Sequence, residues 1–361
     1  MASPSAMCSR SRKKVSINGP TMDTDSRPTS RIKILSNFRV RTPPLAERVT
    51  YLYDVFPAVF GECIRKKSYG HILEGLVALS ISRRFDVTIT VGVGVAFGFG
   101  FVNRLLWRRR RHVVKELYFS ETSLSSWMKR SLMRWALRDV DLVVTNSRGE
   151  IPYLMELLGL SREQFEFIPW PSELSVPSEP LPGADYVFAG GRSLRDWTTL
   201  FAAVAGTGLQ TVVVATATDI EHRSVPQEVD LSVDKPYVEY LRLLQSARIV
   251  VVPVKSTFRS VGQIALLEAM ALGKPVVAAR VPGVADYLEP GVNGLLYEPG
   301  DVSGLRETLV RLYEDKTLQE SLGRQAQRRV REEFNPVVYS CSMLERIARV
   351  CGVEASSKSV L

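Results

Sequence analysis

Histidine and cysteine are scarce in this chain of 361 residues, at three and four respectively. Cys8, Cys63, Cys341 and Cys351 form no C-x-x-C pair and no zinc-ligand spacing, which excludes a zinc ribbon or finger. With no secretory segment ahead of them, they point to reduced thiols in a cytoplasmic compartment rather than a disulfide framework. His71, His112 and His222 stand apart from one another, without ligand spacing or an obvious base partner, so no histidine is assigned a role. Long apolar runs are also missing. The uncharged stretch Val87 to Asn103 is filled with glycine and falls short of the roughly 20 residues that a bilayer span needs. Residues 1–30 mix Ser, Thr, Pro, Arg and Lys without a hydrophobic period, and read as a disordered basic tail lacking the apolar core of a signal peptide.

What is present suits a two-domain α/β protein. The length fits two domains, and a hydrophobic fraction of 45% supplies two cores. A formal charge of +9 is compatible with nucleic acid, anionic lipid or a phosphorylated ligand. No nucleic-acid-binding module is found, so nucleic acid ranks last. Along the chain, RIKILSN (31–37) reads as a strand, the region around Ala58 to Arg84 as helical, and DVTITVGV as a second strand. In VGVGVAFGFGFVNRLLW the glycines at 92, 94 and 98 space as GxGxxxG, not as the dinucleotide GxGxxG, which leaves a glycine loop leading into a buried helix. HVVKELYF and VDLVVTNS then read as strands around the helix SSWMKRSLMRWALRD.

The richest segment runs from Ser260 to Gly294. RIVVVPV (248–254) has the apolar continuity of a central parallel strand, and the loop after it opens a helix near Gly262 that Gly273 stops. The first turn of such a helix leaves N–H groups unpaired, Gly262 permits close approach, and the dipole favours an anion, so a phosphate fits there. The helix is apolar on nearly every face except at Glu268. A buried carboxylate needs partners. Glu268 either accepts from a ligand diol such as a ribose or pairs with Lys255, Arg259 or Lys274. After Gly294, the chain from LLYEPGD onward reads as a turn and two amphipathic helices.

A second phosphate-facing turn precedes that segment. ADYVFAGG (184–191) reads as a strand ending in Gly190 and Gly191, followed by the helix of SLRDWTTLFAAVAG in a Rossmann-like crossover. Arg192 and Arg195 flank the helix start, where guanidinium groups pair with phosphate oxygens, or else they are solvated surface charges. Asp196 reads as a charge at the helix N-terminus rather than a catalyst.

The LLEAMALGKPVVA core resembles the C-terminal signature of the retaining group 1 glycosyltransferases, the GT-B enzymes grouped as glycosyltransferase family 4. The resemblance extends from about Arg31 to Val350 and is diffuse before Asp139. It implies two Rossmann-like doubly wound domains facing a central cleft, residues 31–172 as the acceptor domain and 173–335 as the donor domain, with a helix over 336–351 crossing back and a tail over 352–361. It implies a nucleotide diphosphate sugar donor, a hydroxyl acceptor on a glycan, lipid or small molecule, retention, and no metal or other cofactor. By this resemblance Glu268 binds the ribose, and Arg192 matches a diphosphate-binding arginine just after Gly190 and Gly191. Arg195 stands close to a diphosphate-binding lysine of the family. Ser260, Val261, Gly262 and Gln263 form the phosphate and sugar loop.

The chain departs from the family at Ser260, where the first of two glutamates is expected. Gly262 and Gln263 are assigned its sugar contact through backbone and amide groups. This departure leaves a non-catalytic nucleotide-sugar-binding protein as the alternative, with a nucleotide-sugar epimerase behind it. Tyr118 takes the place of a family histidine that positions the donor sugar, with Glu116 beside it as a second cleft candidate. Asp23-Thr24-Asp25 spells the metal-binding DxD of the other large glycosyltransferase fold, but it precedes the first strand and reads as coincidence. Arg130, Arg134 and Arg138 repeat every fourth residue on a helix that also carries Trp127, Met128, Leu132 and Trp135. That composition suits packing or peripheral docking on an anionic membrane surface.

Overall fold

The computed structural model describes residues 32–39, 41–55, 70–119, 126–177, 184–220 and 224–353. Cys8, Cys63, His222, the side chain of His71 and the Asp23–Asp25 motif lie outside the described residues. The first six strands are β1 (Ile34–Ser36), β2 (Val49–Tyr51), β3 (Val87–Val91), β4 (His112–Lys115), β5 (Leu142–Thr145) and β6 (Phe165–Phe167). They form one sheet in the order β2-β1-β3-β4-β5-β6, with β1 parallel to β2 and β3, and β5 parallel to β6. Every position of β4 and β5 is buried. Helices on both faces of a parallel sheet remove any need for alternation, which is why these strands read as apolar runs.

The accompanying helices are α1 (Leu52–Val55), α2 (Gly70–Ile81), α3 (Val93–Leu105), α4 (Trp127–Leu137) and α5 (Ile151–Leu158). The helical region expected over 58–84 thus narrows to α2 and a 3-10 turn at Ser82–Arg84, with residues 56–69 outside the described ones. The glycines after β3 divide their labour. Gly92, at φ +91°, makes the turn into α3, whereas the later ones are helical. A Cβ on Gly98 would run into the Ile72 backbone of α2, and one on Gly75 of α2 into the Val95 and Phe99 backbone of α3. Gly98 and Gly75 bring two helix backbones together, within the turn and buried helix that the sequence leads one to expect.

The second sheet contains β7 (Val187–Gly190), β8 (Thr211–Ala215), β9 (Val229–Val233), β10 (Ile249–Val252), β11 (Val276–Ala279) and β12 (Leu295–Tyr297), in the order β12-β11-β10-β7-β8-β9. Each neighbouring pair in that order runs parallel. Strand β12 departs from the sequence reading, which puts Leu295–Tyr297 in a turn; the segment pairs with Val277–Ala279 instead. Three residues are too few to show a period. The helices are α6 (Trp197–Val204), α7 (Ala217–Ile220), α8 (Tyr237–Ser246), α9 (Gln263–Ala271), α10 (Pro282–Ala285), α11 (Val302–Glu314), α12 (Lys316–Glu332) and α13 (Pro336–Val350). One continuous core surrounds this sheet, with Trp197, Phe188 and Tyr287 among its largest buried side chains. Helix α6 starts where Asp196 accepts from the Thr199 N–H at 3.2 Å, the capping role expected of it.

The chain falls into two compact units. One draws on 1–113, 139–142 and 340–361, and the other on 114–138 and 143–339. In the first, His112 is a structural histidine: its Nε2 lies 2.7 Å from Thr90 Oγ1, its ring packs on Phe99, and burial pushes its pKa down to about 3.

Candidate functional site

From β7 the chain winds outward to β8 and β9, then returns to place β10 on the other side of β7. The crevice beyond the C-terminal ends of β7 and β10 is therefore a topological switch point, where doubly wound sheets bind ligands. The two loops that emerge there are the ones singled out in the sequence, and they are bonded to each other. Asp196 donates its N–H to the Pro253 carbonyl at 3.0 Å, Lys255 donates to Leu194 at 2.9 Å, and Arg195 bridges Val254 in antiparallel fashion.

The turn after β7 is shaped by what packs on its glycines. The Tyr240 ring occupies the space where a Cβ of Gly190 would go, and the Arg195 guanidinium occupies that of Gly191, whose φ is +137°. Leu194 adopts φ +51°, a strained value for a branched side chain. Arg195 folds back over the turn, donating Nε to the Gly190 carbonyl at 3.1 Å and Nη1 to that of Ser193 at 3.0 Å. It is 7% exposed, whereas Arg192 is exposed. The two arginines of the expected pair thus differ: one is built into the turn, the other reaches solvent.

In the second loop Gly262 caps α9 with φ +95°, a conformation that L side chains rarely adopt. Ser260, Val261 and Gln263 are buried. The Gln263 amide, assigned to a sugar, donates to Ser260 Oγ in this structure. One turn and a half along α9, Glu268 is 5% exposed and faces tyrosines rather than lysine. The Tyr237 hydroxyl donates to Oε1 at 2.6 Å, and the Tyr240 phenol lies close to the carboxylate. Burial raises the Glu268 pKa, while the two phenols and the Arg195 charge pull it back. Arg195, Tyr240 and Glu268 consequently form one buried network behind the crevice. Tyr237 is 56% exposed. Sequence reasoning missed both tyrosines; their only signal was their position in the first turn of the amphipathic helix α8.

A second polar cluster lies beyond β4 and β5. Glu116 has φ +58° and an ion pair to the buried Lys115 at 3.2 Å. Lys115 Nζ also sits over the Trp170 ring at 4.8 Å. Asn146 donates Nδ2 to the Tyr118 hydroxyl at 3.2 Å, and its buried Oδ1 has no hydrogen-bond partner. Glu150, at the start of α5, accepts from the Asn146 N–H at 3.0 Å. Its pKa is pushed up to about 7, chiefly by burial and further by the nearby Asp286 charge. Asp286 receives the Ser147 hydroxyl at 2.9 Å and the Arg148 N–H at 2.6 Å. Tyr287 donates to the Asn146 carbonyl at 2.9 Å and accepts the Trp170 N–H at 2.8 Å. The structure therefore brings Tyr118 and Glu150 near one another, on either side of Asn146.

Residues 204–315, which include Glu268 and the 253–262 loop, match the family model described as Glycosyl transferases group 1. An N-acetyl-alpha-D-glucosaminyl L-malate synthase of Bacillus anthracis is 38% identical over 69 residues, covering 19% of this chain and 18% of that protein. An uncharacterized glycosyltransferase of Methanocaldococcus jannaschii is 33% identical over 95 residues, 26% of each chain. The chain thus aligns with only about a fifth to a quarter of the length of these relatives. Among solved structures, HepE of Anabaena with UDP-glucose superposes with a TM-score of 0.64 at 16% identity, over 88% of this chain and 100% of that one. Sucrose-phosphate synthase of Thermosynechococcus elongatus gives a TM-score of 0.62 at 20% identity, over 80% of each. Over residues 204–315 this chain is similar to the group 1 glycosyl transferases, and its two parallel six-stranded sheets share the GT-B fold of the solved structures.

Proposed function

We propose that this chain transfers a sugar from a nucleotide diphosphate sugar to a hydroxyl acceptor, with retention at the anomeric carbon. The observation that carries this reading is the buried Arg195–Tyr240–Glu268 network at the switch point of the second sheet, next to a glycine-capped helix start. Glu268 accepts the ribose diol, with Tyr237 yielding its hydrogen bond. Arg195 fixes the diphosphate turn, exposed Arg192 closes on the phosphates, and the Ser260–Gln263 loop presents backbone N–H groups to phosphate and sugar. The bond from the anomeric carbon to the diphosphate oxygen breaks, the acceptor oxygen bonds that carbon, and the acceptor proton leaves on the diphosphate. Arginines and the α9 N-terminus carry the leaving-group charge in this scheme, so no step is assigned to a metal. The solved complexes of HepE with UDP and UDP-glucose support a nucleotide sugar as donor.

The test is titration of UDP, GDP and ADP and their common sugar conjugates against wild type and Glu268→Ala, followed by heat stability and nucleotide release. Selective binding that is lost in the variant, with free nucleotide released when acceptor-containing extract is added, is the expected result. Absence of binding by every nucleotide would overturn the donor site.

The acceptor side is proposed to meet an anionic membrane surface through α4. Trp127, Met128, Leu132 and Trp135 are exposed there beside exposed Lys129 and Arg130. Aromatic and basic side chains on one helix suit an interface between headgroups and water. Arg134 is engaged otherwise, donating to the Leu157 and Glu156 carbonyls at 3.0 and 2.6 Å at the C-terminal end of α5. Among the described residues no helix is long and apolar enough to cross a membrane.

A further inference from the structure

Where α3 ends, three consecutive large apolar side chains stay in solvent. Leu105, Leu106 and Trp107 are 54%, 50% and 82% exposed, and the four arginines at 108–111 follow at once. The turn that carries them is firmly built. Asn103, itself buried, spans it: Nδ2 donates to the Arg110 carbonyl at 3.0 Å, and Oδ1 accepts the Arg110 N–H at 3.0 Å. Arg108 donates its N–H to the Asn103 carbonyl at 2.9 Å, and Trp107 donates to that of Arg104 at 3.1 Å. Trp107 and Arg109 take φ +50° and +46°, values that cost energy for L side chains and persist only where the surroundings fix them. At the exit, the Thr88 N–H donates to the Arg111 carbonyl at 3.0 Å, which ties the turn to β3. The fold thus holds an indole and two leucines away from its core, at a conformational cost.

The charge beside this cluster is positive. Arg104 is matched by Asp139 at 2.5 Å, and Arg111 lies near Asp141. Arg108, Arg109 and Arg110 form no ion pair among the described residues. An exposed apolar cluster alone names no partner. Next to three unmatched guanidinium groups it complements one surface in particular, the boundary where anionic headgroups meet acyl chains: indole sits at headgroup level, leucine goes deeper, and arginine pairs with phosphate. We infer that the turn over residues 105–111 inserts into an anionic bilayer, with Leu106 and Trp107 entering the acyl boundary and Arg108, Arg109 and Arg110 binding headgroup phosphates. This contact is independent of the donor-site reading. It is also separate from the α4 contact: α4 belongs to the other compact unit and offers a helix face that adsorbs, whereas this turn penetrates.

The test uses the full chain and vesicles of phosphatidylcholine with or without phosphatidylserine. Of the five tryptophans, Trp127 and Trp135 belong to α4, Trp197 is buried and Trp170 half-buried, so Trp127→Phe with Trp135→Phe leaves Trp107 as the exposed reporter. In that background, lipids brominated on the acyl chain near the headgroup are expected to quench fluorescence on anionic vesicles, and adding Trp107→Phe is expected to abolish the quenching. Leu106→Ser with Trp107→Ser should lower partitioning onto anionic vesicles about tenfold or more, with the melting temperature unchanged because both side chains already face solvent. Arg108→Gln with Arg109→Gln should lower it about thirtyfold. Anionic binding without quenching of Trp107, or wild-type partitioning in the Leu106 and Trp107 variant, would overturn the inference and leave α4 as the contact. Binding that survives Lys129→Gln with Arg130→Gln but fails in the Leu106 and Trp107 variant supports it and removes α4. Indifference to every vesicle overturns both, and self-association relieved by Leu106→Ser with Trp107→Ser would assign the turn to a second copy of this chain instead.

Discussion

At the scale of single residues, the buried acids set the chemistry. Glu268 accepts from the Tyr237 phenol, so Tyr237→Phe takes away a stabilising hydrogen bond and raises the carboxyl pKa further. The expected cost is about 1–2 kcal/mol of stability, visible as a lower midpoint in urea. Nucleotide affinity should hold or rise, because the ribose no longer competes with a protein hydroxyl. Glu268→Gln keeps the shape but loses the charged acceptor, and should weaken nucleotide binding roughly tenfold or more. Glu150 makes a separate prediction. Its folded-state pKa of about 7 lies above the ordinary carboxyl value of 4.5, so the native protein holds a proton that the unfolded chain releases. Its contribution to stability is present below pH 4.5 and is lost as pH rises toward 7, to a limit of about 3 kcal/mol. Chemical denaturation at pH 5 and pH 8 should show this loss in wild type and not in Glu150→Gln.

At the scale of elements, local signals and tertiary ones separate cleanly. The helix start at Gly262 and its stop at Gly273 were legible because glycine at positive φ leaves a sequence mark, and the structure gives φ +95° and +69° there. The strand–turn–helix at Val187–Val204 was legible for the same reason. Strand β12 was not, since three residues carry no period, and neither were the tyrosine partners of Glu268, which come from α8, some 30 residues away in the chain. The glycines of α3 were visible but their purpose was not, because it depends on the backbone of α2. Gly98→Val should therefore destabilise by several kcal/mol, the range for overpacking compounded by forced helix separation. Gly92→Ala meets empty space and pays only for its positive φ, about 1 kcal/mol. Paired thermal melts of the two variants separate these outcomes.

At the scale of the whole molecule, the +9 charge and the exposed face of α4 give the proposed docking on an anionic surface its test. Cosedimentation with vesicles containing phosphatidylserine is expected at low salt and should fade as salt rises. The double substitution Lys129→Gln and Arg130→Gln should weaken it by about 2 kcal/mol, near thirtyfold. Indifference to vesicle charge would refute the membrane assignment and leave the donor site untouched. The two-sheet architecture was readable from strand–helix alternation and from the EAMA-type segment. The first compact unit draws its residues from three separate stretches of chain, a feature that no local pattern marks.

The antiparallel bridge between Arg195 and Val254, with its flanking hydrogen bonds, welds two loops that belong to different crossovers. A disturbance entered through one therefore travels to the other without any ligand as intermediary. Gly191→Ala, which evicts the Arg195 guanidinium, and Gly262→Ala, which strains the start of α9, should then show a sizeable interaction energy in a double-mutant cycle. The diphosphate grip and the sugar loop would respond as one mechanical part, and selection acting on either would be felt in both.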